Sequence, residues 1–311
     1  MADLLTPDFI WFDGAVRPWS DARVHVWTEV VQRAASVFEG LRGYWNAAES
    51  RHYFVRVNDH VDRLADSAKV VRIPRIMARE EITTALGELV ARLDYREDIY
   101  ARPTLYLERG RYTVGGTASD AGFFLPVFPA PREKSIAEGV SCQVSSWLRS
   151  DDTAAPPRIK AAANYYNLRM ARLESSTHGY DEAILLNRAG HVAETAGASV
   201  FVVRRGQVAT PHTSESILES ITRRCAIELL SENGTTIVER AVDRTELYVA
   251  DEVFLTGTLC EITPVVSVDG IRTGSGKPGP VTEALQTAYY SACQAGRADT
   301  RGWLTPGPVL P

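Results

Sequence analysis

Lysine is scarce in this chain. Of its 34 Lys and Arg residues only four are lysines, Lys69, Lys134, Lys160 and Lys277. No Lys/Arg cluster or basic stripe runs along it, and the formal net charge is -5, so a phosphate backbone finds no complementary surface and nucleic acid is not an expected partner. The cysteines, Cys142, Cys225, Cys260 and Cys293, are scattered with no C-x-x-C pair, in a chain too large to need disulfide staples. They read as reduced, mostly buried thiols. The six histidines form no H-x-x-x-H or Cys/His grouping with ligand spacing, so no metal site is expected. No apolar run reaches the roughly 18 to 20 residues that span a bilayer. The opening MADLLTPDFI lacks the basic and apolar regions of a secretory signal, and the expected location is the cytoplasm.

What is there is ordinary globular material, 45% hydrophobic and 23% charged over 311 residues, enough for two domains. The first part alternates strand-like runs (FIWFDGAVRP, ARVHVW, GLRGYW, HYFVRV) with a helical pattern from Asn58, a candidate N-cap, carrying Val61, Leu64, Ala65 and Ala68. A second helix is expected over Arg79 to Leu93, then strands IYARPTLYL and GFFLPVF. This is an α+β pattern. FPAPREKS has two prolines and no periodicity, which makes 129–136 an expected linker between a small domain, 1–128, and a larger one, 137–311. The larger part reads as a strand (GVSCQVSSW), a lysine-led helix, hairpins EAILLNRAGHVAET and SVFVVRRGQVATP, and helices from Ile221 and Val281. The tail after Gly302 is expected to drape over the surface.

One of the four lysines, Lys160, stands behind Pro156-Pro157 and before the small-residue run AAANYY. Such a lysine is either a solvated charge or a nucleophile kept partly neutral by burial or a neighbouring cation. Pyridoxal phosphate requires an amine, a carboxylate at the pyridine nitrogen, a donor to the phenolic oxygen and an anion hole, and each has a candidate. Glu194 ends a strand-like run before Ala196, Gly197 and Ala198, which leave room for a ring. Tyr165 follows Lys160 by a little over one helical turn, if the helix is regular there. SILESITRR offers a helix N-terminus at Ser220-Ile221-Thr222 for a phosphate. Arg63 supplies a planar fork, and Thr258 lies at a strand end beside a glycine. Each residue alone also has an ordinary structural reading; their coincidence points to the cofactor.

HVDRLADSAK, RPTLYL, KAAANYYN, GYDEAILL, GHVAETAG, SESILESITR and LTGTLCEITPVVSVDG follow one another in the order of the fold-type IV pyridoxal-phosphate aminotransferases. The chain most resembles the branched-chain amino acid aminotransferases, from about Trp11 to Trp303. The resemblance implies a two-domain α+β homodimer, with a small α/β domain and a larger pseudo-barrel domain. It also implies Lys160 as the Schiff-base lysine and proton shuttle, Glu194 at the pyridine nitrogen, Tyr165 at the phenolic oxygen, and Arg63, Ile221, Thr222 and Thr258 at the phosphate. Substrate positions match at Phe38, Gly40, Tyr100 and Arg102, where Arg102 would meet the distal carboxylate of glutamate or 2-oxoglutarate.

Other positions depart from the family pattern. Arg33 stands where an aromatic residue is usual, Ala130 and Glu133 replace linker aromatics, Leu259-Cys260 replaces a pair of alanines, and Ser220 replaces a glycine. The main expectation is transfer of an amino group from a branched-chain L-amino acid to 2-oxoglutarate. The alternatives are the same chemistry on a polar or aromatic amino acid or an (R)-amine, a lyase, or an inactive binding protein.

Overall fold

The computed structural model describes residues 6–108 and 120–311. Loop residues Arg109, Arg111 and Val114, expected to reach a neighbouring subunit, lie outside them. The chain divides into two compact units. One comprises the described residues up to Pro131 with Ile159–Ala163 and Ala292–Pro311; the other comprises Arg132–Arg158 and Asn164–Ser291. The expected domain running unbroken over 137–311 is therefore corrected at two places. Backbone pairing, not chain order, assigns Ile159–Ala163 and the C-terminal tail to the first unit.

In the first unit the strands are β1 (Phe9–Phe12), β2 (Ala15–Pro18), β3 (Ser36–Phe38), β4 (Leu41–Asn46), β5 (Arg51–Val55), β6 (Ile99–Ala101), β7 (Thr104–Leu107), β8 (Ala121–Leu125), β9 (Val127–Pro129) and the C-terminal β19 (Leu304–Val309). They form two antiparallel sheets, ordered β2-β1-β8-β7-β3 and β19-β5-β4-β6-β9. The tail is thus a sheet strand, with Leu304 opposite Val55 and Thr305 opposite Phe54. ARVHVW forms no strand, and Val26 and Trp27 in it are exposed.

The helices are α1 (Glu29–Arg33), α2 (Val57–Val70) and α3 (Arg79–Leu93). Apolar residues at helical spacing, Val61, Leu64 and Ala68 on α2 and Ile82, Leu86 and Leu89 on α3, join Leu41, Phe54, Ile99 and Phe123 from the sheets in one core. Each large side chain buried this way contributes about 1.5–3 kcal/mol. Asn58 is not the N-cap of α2. Arg56 holds that position with φ 53°, and its N–H donates to the Trp303 carbonyl at 2.6 Å, so a remote segment sets where the helix begins.

The second unit contains α4 (Ser135–Glu138), β10 (Val140–Val144), α5 (Asn164–Thr177), β11 (Glu182–Leu186), β12 (Val192–Thr195), β13 (Ser199–Arg204), β14 (Gln207–Thr210), α6 (Ile221–Glu232), β15 (Ile237–Glu239), β16 (Glu252–Gly257), β17 (Glu261–Val268), β18 (Ile271–Arg272) and all but the last two residues of α7 (Pro280–Cys293). Its sheet runs β12-β11-β10-β17-β16-β13, and β12 also pairs with β13, so six strands close into a ring. β14 and β15 continue outward from β13, and β18 pairs with β17.

Val144, Ile184, Val192, Val200, Val202, Val253, Leu255 and Val265 share one core cluster to which all six ring strands contribute. The period-2 alternation of a strand places such residues on one face, and closure of the sheet packs that face against itself. The opposite face is buried as well: Phe201 stacks on Phe254 at 4.8 Å, and Ala183 and Leu185 pack under Leu168 and Ala171 of α5.

Candidate active site

Lys160 does not lead a helix, because α5 begins at Asn164. The backbone around the lysine is instead committed to β3 and α2. Lys160 N–H donates to Ser67 Oγ at 3.0 Å, Phe38 N–H donates to the Lys160 carbonyl at 3.1 Å, and Ala162 N–H donates to the Ser36 carbonyl at 2.9 Å. A bridge between Val37 and Ala161 completes a short added strand at the free edge of β3. Groups used in this way cannot enter a helical ladder. The side chain is half-buried, and Nζ lies 5.3 Å from the centroid of the Phe38 ring.

The Arg102 guanidinium is 3.7 Å from the same centroid, so the first unit gathers Phe38, Lys160 and Arg102 around one aromatic ring. Gly40 lies under Tyr100, where an added Cβ would come within 2.6 Å of the tyrosine hydroxyl. A side chain at position 40 would displace that ring.

Arg63, on α2, is forked onto Glu39 through Nε at 2.6 Å and Nη2 at 2.8 Å. Glu39 is fully buried and also accepts from His60 Nδ1 at 2.7 Å and from the Gly40 N–H at 3.2 Å. Although burial raises the Glu39 pKa, Arg63 and then His60 outweigh it and hold the carboxyl well below the usual range. Burial, with the nearby cations of Arg63 and Lys160, lowers the His60 pKa against the opposing pull of Glu39, so His60 is a neutral ring donating through Nδ1.

Arg33 is exposed and pairs with both carboxylate oxygens of Glu29 at 2.7 Å within its own short helix. Its charge is met locally. Ala130 is buried, its carbonyl accepting from Arg42 Nη2 at 2.9 Å, whereas Glu133 is exposed.

In the second unit Glu194, on β12, is buried. Its Oε1 accepts from Arg149 Nε at 2.7 Å and its Oε2 from the Leu218 N–H at 3.1 Å. Arg149 is itself buried, and its Nη1 has no hydrogen-bond partner among the described residues. Since each carboxylate oxygen has two lone pairs, Glu194 retains acceptor capacity for one more N–H. Tyr165, in the first turn of α5, and Ala196, two residues beyond Glu194, both pack against the cluster of Leu168, Ala171, Ala183 and Leu185.

Leu218 lies just ahead of α6, whose first residues Ile221 and Thr222 are buried. Ser220 caps that helix by accepting from the Arg223 N–H at 3.2 Å. By helix geometry the first-turn N–H groups have no intrahelical acceptor, and the dipole there favours an anion. Thr258, Leu259 and Cys260 form the turn after β16. A Cβ on Gly257 would stand 2.8 Å from the Gly197 carbonyl, so this turn lies against the segment that follows Glu194.

Thus the first unit assembles Lys160, Phe38, Gly40, Tyr100 and Arg102, with Arg63 on its Glu39 anchor. The second assembles Glu194, Tyr165, the α6 start and Thr258. Two chemistry-bearing residues escaped the sequence reading, Glu39 and Arg149. Glu39 carried a signal, being an acid between Phe38 and Gly40 in an otherwise apolar strand run. Arg149 in SSWLRS carried none, because its partner is 45 positions away.

Among known families, the model for amino-transferase class IV matches residues 36–268. The chain belongs to the class IV aminotransferases. One similar curated protein is the probable branched-chain-amino-acid aminotransferase of Aquifex aeolicus, 37% identical over 300 residues and 96% of each chain. The branched-chain amino acid aminotransferase of Thermobaculum terrenum, solved in its PLP form, superposes with a TM-score of 0.89 at 40% identity, covering 97% of this chain and 98% of that one. The Escherichia coli branched-chain amino acid aminotransferase gives a TM-score of 0.90 at 35% identity, covering 97% and 99%.

Within this aminotransferase, burial pushes the Cys260 thiol up to about 12, with Glu182 and Glu261 adding to the effect. Thiol reagents act on the thiolate, so Cys260 is expected to resist iodoacetamide at pH 8 in the folded protein and to react once it is denatured. Mass spectrometry of the alkylated peptide checks this.

Proposed function

We propose that this aminotransferase uses pyridoxal 5'-phosphate to move the amino group of a branched-chain L-amino acid to 2-oxoglutarate. The observation that carries this reading is Lys160, a half-buried amine on a backbone pinned at three points, facing an aromatic ring shared with the Arg102 guanidinium. The printed names of the relatives support the substrate class. The residues also fit the cofactor: Glu194 has acceptor capacity left, and the buried start of α6 presents first-turn N–H groups.

When bound, the cofactor supplies an electron sink for the pair left on the substrate when its Cα proton departs. Lys160 anchors it and moves that proton. Glu194, kept in place by Arg149 and the Leu218 N–H, holds a proton on the pyridine nitrogen, and Tyr165 donates to the phenolic oxygen. Arg63, Thr222, Thr258 and the Ile221 N–H hold the phosphate. Arg102 presents a planar fork to the distal carboxylate of glutamate or 2-oxoglutarate. Phe38, Gly40, Tyr100, Leu259 and Cys260 bound the side-chain space. Arg33, whose charge is matched by Glu29, gives no cause to replace the branched-chain substrate with a polar one.

The same reading makes the chain a cytoplasmic homodimer. Exposed Trp147, Leu148, Tyr166 and Leu173 in the second unit supply apolar surface for a second copy, and four free cysteines suit a reducing compartment. The test is the visible spectrum of the protein with pyridoxal phosphate, titrated with L-leucine, L-glutamate, D-alanine and (R)-1-phenylethylamine. The reading requires a Lys160-dependent band that leucine and glutamate discharge. A band discharged only by another donor removes the branched-chain assignment, and no band removes the cofactor.

A further inference from the structure

The phosphate role assigned to Arg63 leaves open what orients its guanidinium. We infer that Glu39, backed by His60, is a positioning residue that aims Arg63 at the phosphate of the cofactor. This inference rests on the proposed cofactor reading.

Glu39 lies between β3 and β4, in the two-residue connection where the chain leaves one sheet for the other. No part of the residue is exposed. A buried carboxylate is costly unless its lone pairs are filled, and four donors fill these: Arg63 Nε at 2.6 Å, Arg63 Nη2 at 2.8 Å, His60 Nδ1 at 2.7 Å and the Gly40 N–H at 3.2 Å. Two of the donors are the adjacent N–H groups along one edge of the Arg63 guanidinium. A two-point fork fixes the plane of that group as well as its position, and a rigid five-donor plane held along one edge has its remaining donors aimed in a set direction.

The arrangement is built on rigid elements. His60 and Arg63 are three positions apart on α2 and so share a face, and α2 also supplies the Ser67 hydroxyl that accepts from the Lys160 N–H. One helix therefore carries both the anion-facing guanidinium and a backbone anchor of the reactive lysine. His60 is buried and, as a neutral donor, adds no charge of its own.

Charge and orientation predict opposite outcomes for Glu39. As a nearby anion, Glu39 cancels the charge of Arg63, so simple electrostatics says that removing it should tighten phosphate binding. As an orienting device its removal should weaken binding, because a loose guanidinium must be ordered each time an anion arrives. Orientation is the effect the four-donor geometry favours.

The experiment measures dissociation constants of pyridoxal phosphate and of pyridoxal, which lacks the phosphate, for the full chain and for Glu39→Gln, Glu39→Asp and Arg63→Ala. The ratio of the pyridoxal constant to the pyridoxal phosphate constant isolates the phosphate contribution and is insensitive to a general loosening that would weaken both ligands. Circular dichroism identifies variants that remain folded. Glu39→Gln is expected to lower the ratio by about tenfold or more, approaching Arg63→Ala, while pyridoxal binding changes little. Glu39→Asp, which keeps the charge but shortens the reach, is expected to lower the ratio by a smaller factor, and it decides the matter if Glu39→Gln does not fold. An unchanged or increased ratio in the folded Glu39 variants, with Arg63→Ala reduced, would overturn the inference and leave the cofactor reading standing. No preference for the phosphate in the unmodified chain would overturn both.

Discussion

Lys160→Ala is expected to lower turnover by at least about 10⁴-fold, the upper range for losing a positioned general base, since on the proposed reading it also removes the nucleophile. The fold should survive. Three backbone hydrogen bonds hold the 160–162 segment, and an alanine at position 160 keeps all of them. What departs is an amine beside the Phe38 ring, and that cation–π contact is worth about 0.5–1 kcal/mol at a partly exposed site. The melting temperature should therefore shift by only a few degrees while the visible cofactor band and glutamate formation vanish. Partial recovery of turnover by added methylamine would identify the missing group as the amine. Residual activity within a hundredfold of the unmodified protein would remove Lys160 from the reaction.

The second large effect concerns the buried pair of Arg149 and Glu194. Arg149→Ala and Glu194→Ala should each destabilise the protein by about 3–5 kcal/mol, because each removes the ion-pair partner of a buried charge. At roughly 2–4 °C per kcal/mol for a domain of this size, the melting point falls by on the order of 6–20 °C. Replacing both residues with methionine should recover most of that loss, since a buried pair is little better than well-packed apolar groups. Stability and chemistry then separate. The double variant should be folded yet inactive, whereas Glu194→Gln keeps the shape but loses the carboxylate and should reduce turnover by about a hundredfold or more. Calorimetry with a glutamate-formation assay reads both. A fully active Glu194→Gln would end the assignment of this residue to the pyridine nitrogen.

The sequence was most legible where local pattern and tertiary demand agree. The α3 boundaries could be read from apolar spacing because the same residues face the core, and α6 could be placed by its serine cap. Reading failed where remote backbone decides. Nothing near Asn58 announces that Trp303 receives the Arg56 N–H, and nothing in TPGPVL announces a strand, because its partner β5 is about 250 residues earlier. Lys160 shows the same limit. Its small-residue context reads as a helix start, yet Ser36, Phe38 and Ser67 draw the segment to a sheet edge. The candidate cofactor residues were visible as residue types in order. The partners that hold two of them, Glu39 for Arg63 and Arg149 for Glu194, were not.

The ring of six strands is completed by a single residue pair, Glu194 with Ser199, only five positions apart in the chain. By contrast, the parallel pairing of Cys142 with Val268 joins residues far apart in sequence. During folding the slow search belongs to that distant pairing, because it must close a long loop before any contact rewards it. The seam at Glu194 forms as a tight local reversal. The candidate carboxylate therefore sits on a joint that needs only a short loop closure, as does the β16–β17 joint at Gly257 and Glu261, and amide hydrogen exchange at residues 194 to 199 would report directly whether that joint opens on its own or only with the whole unit.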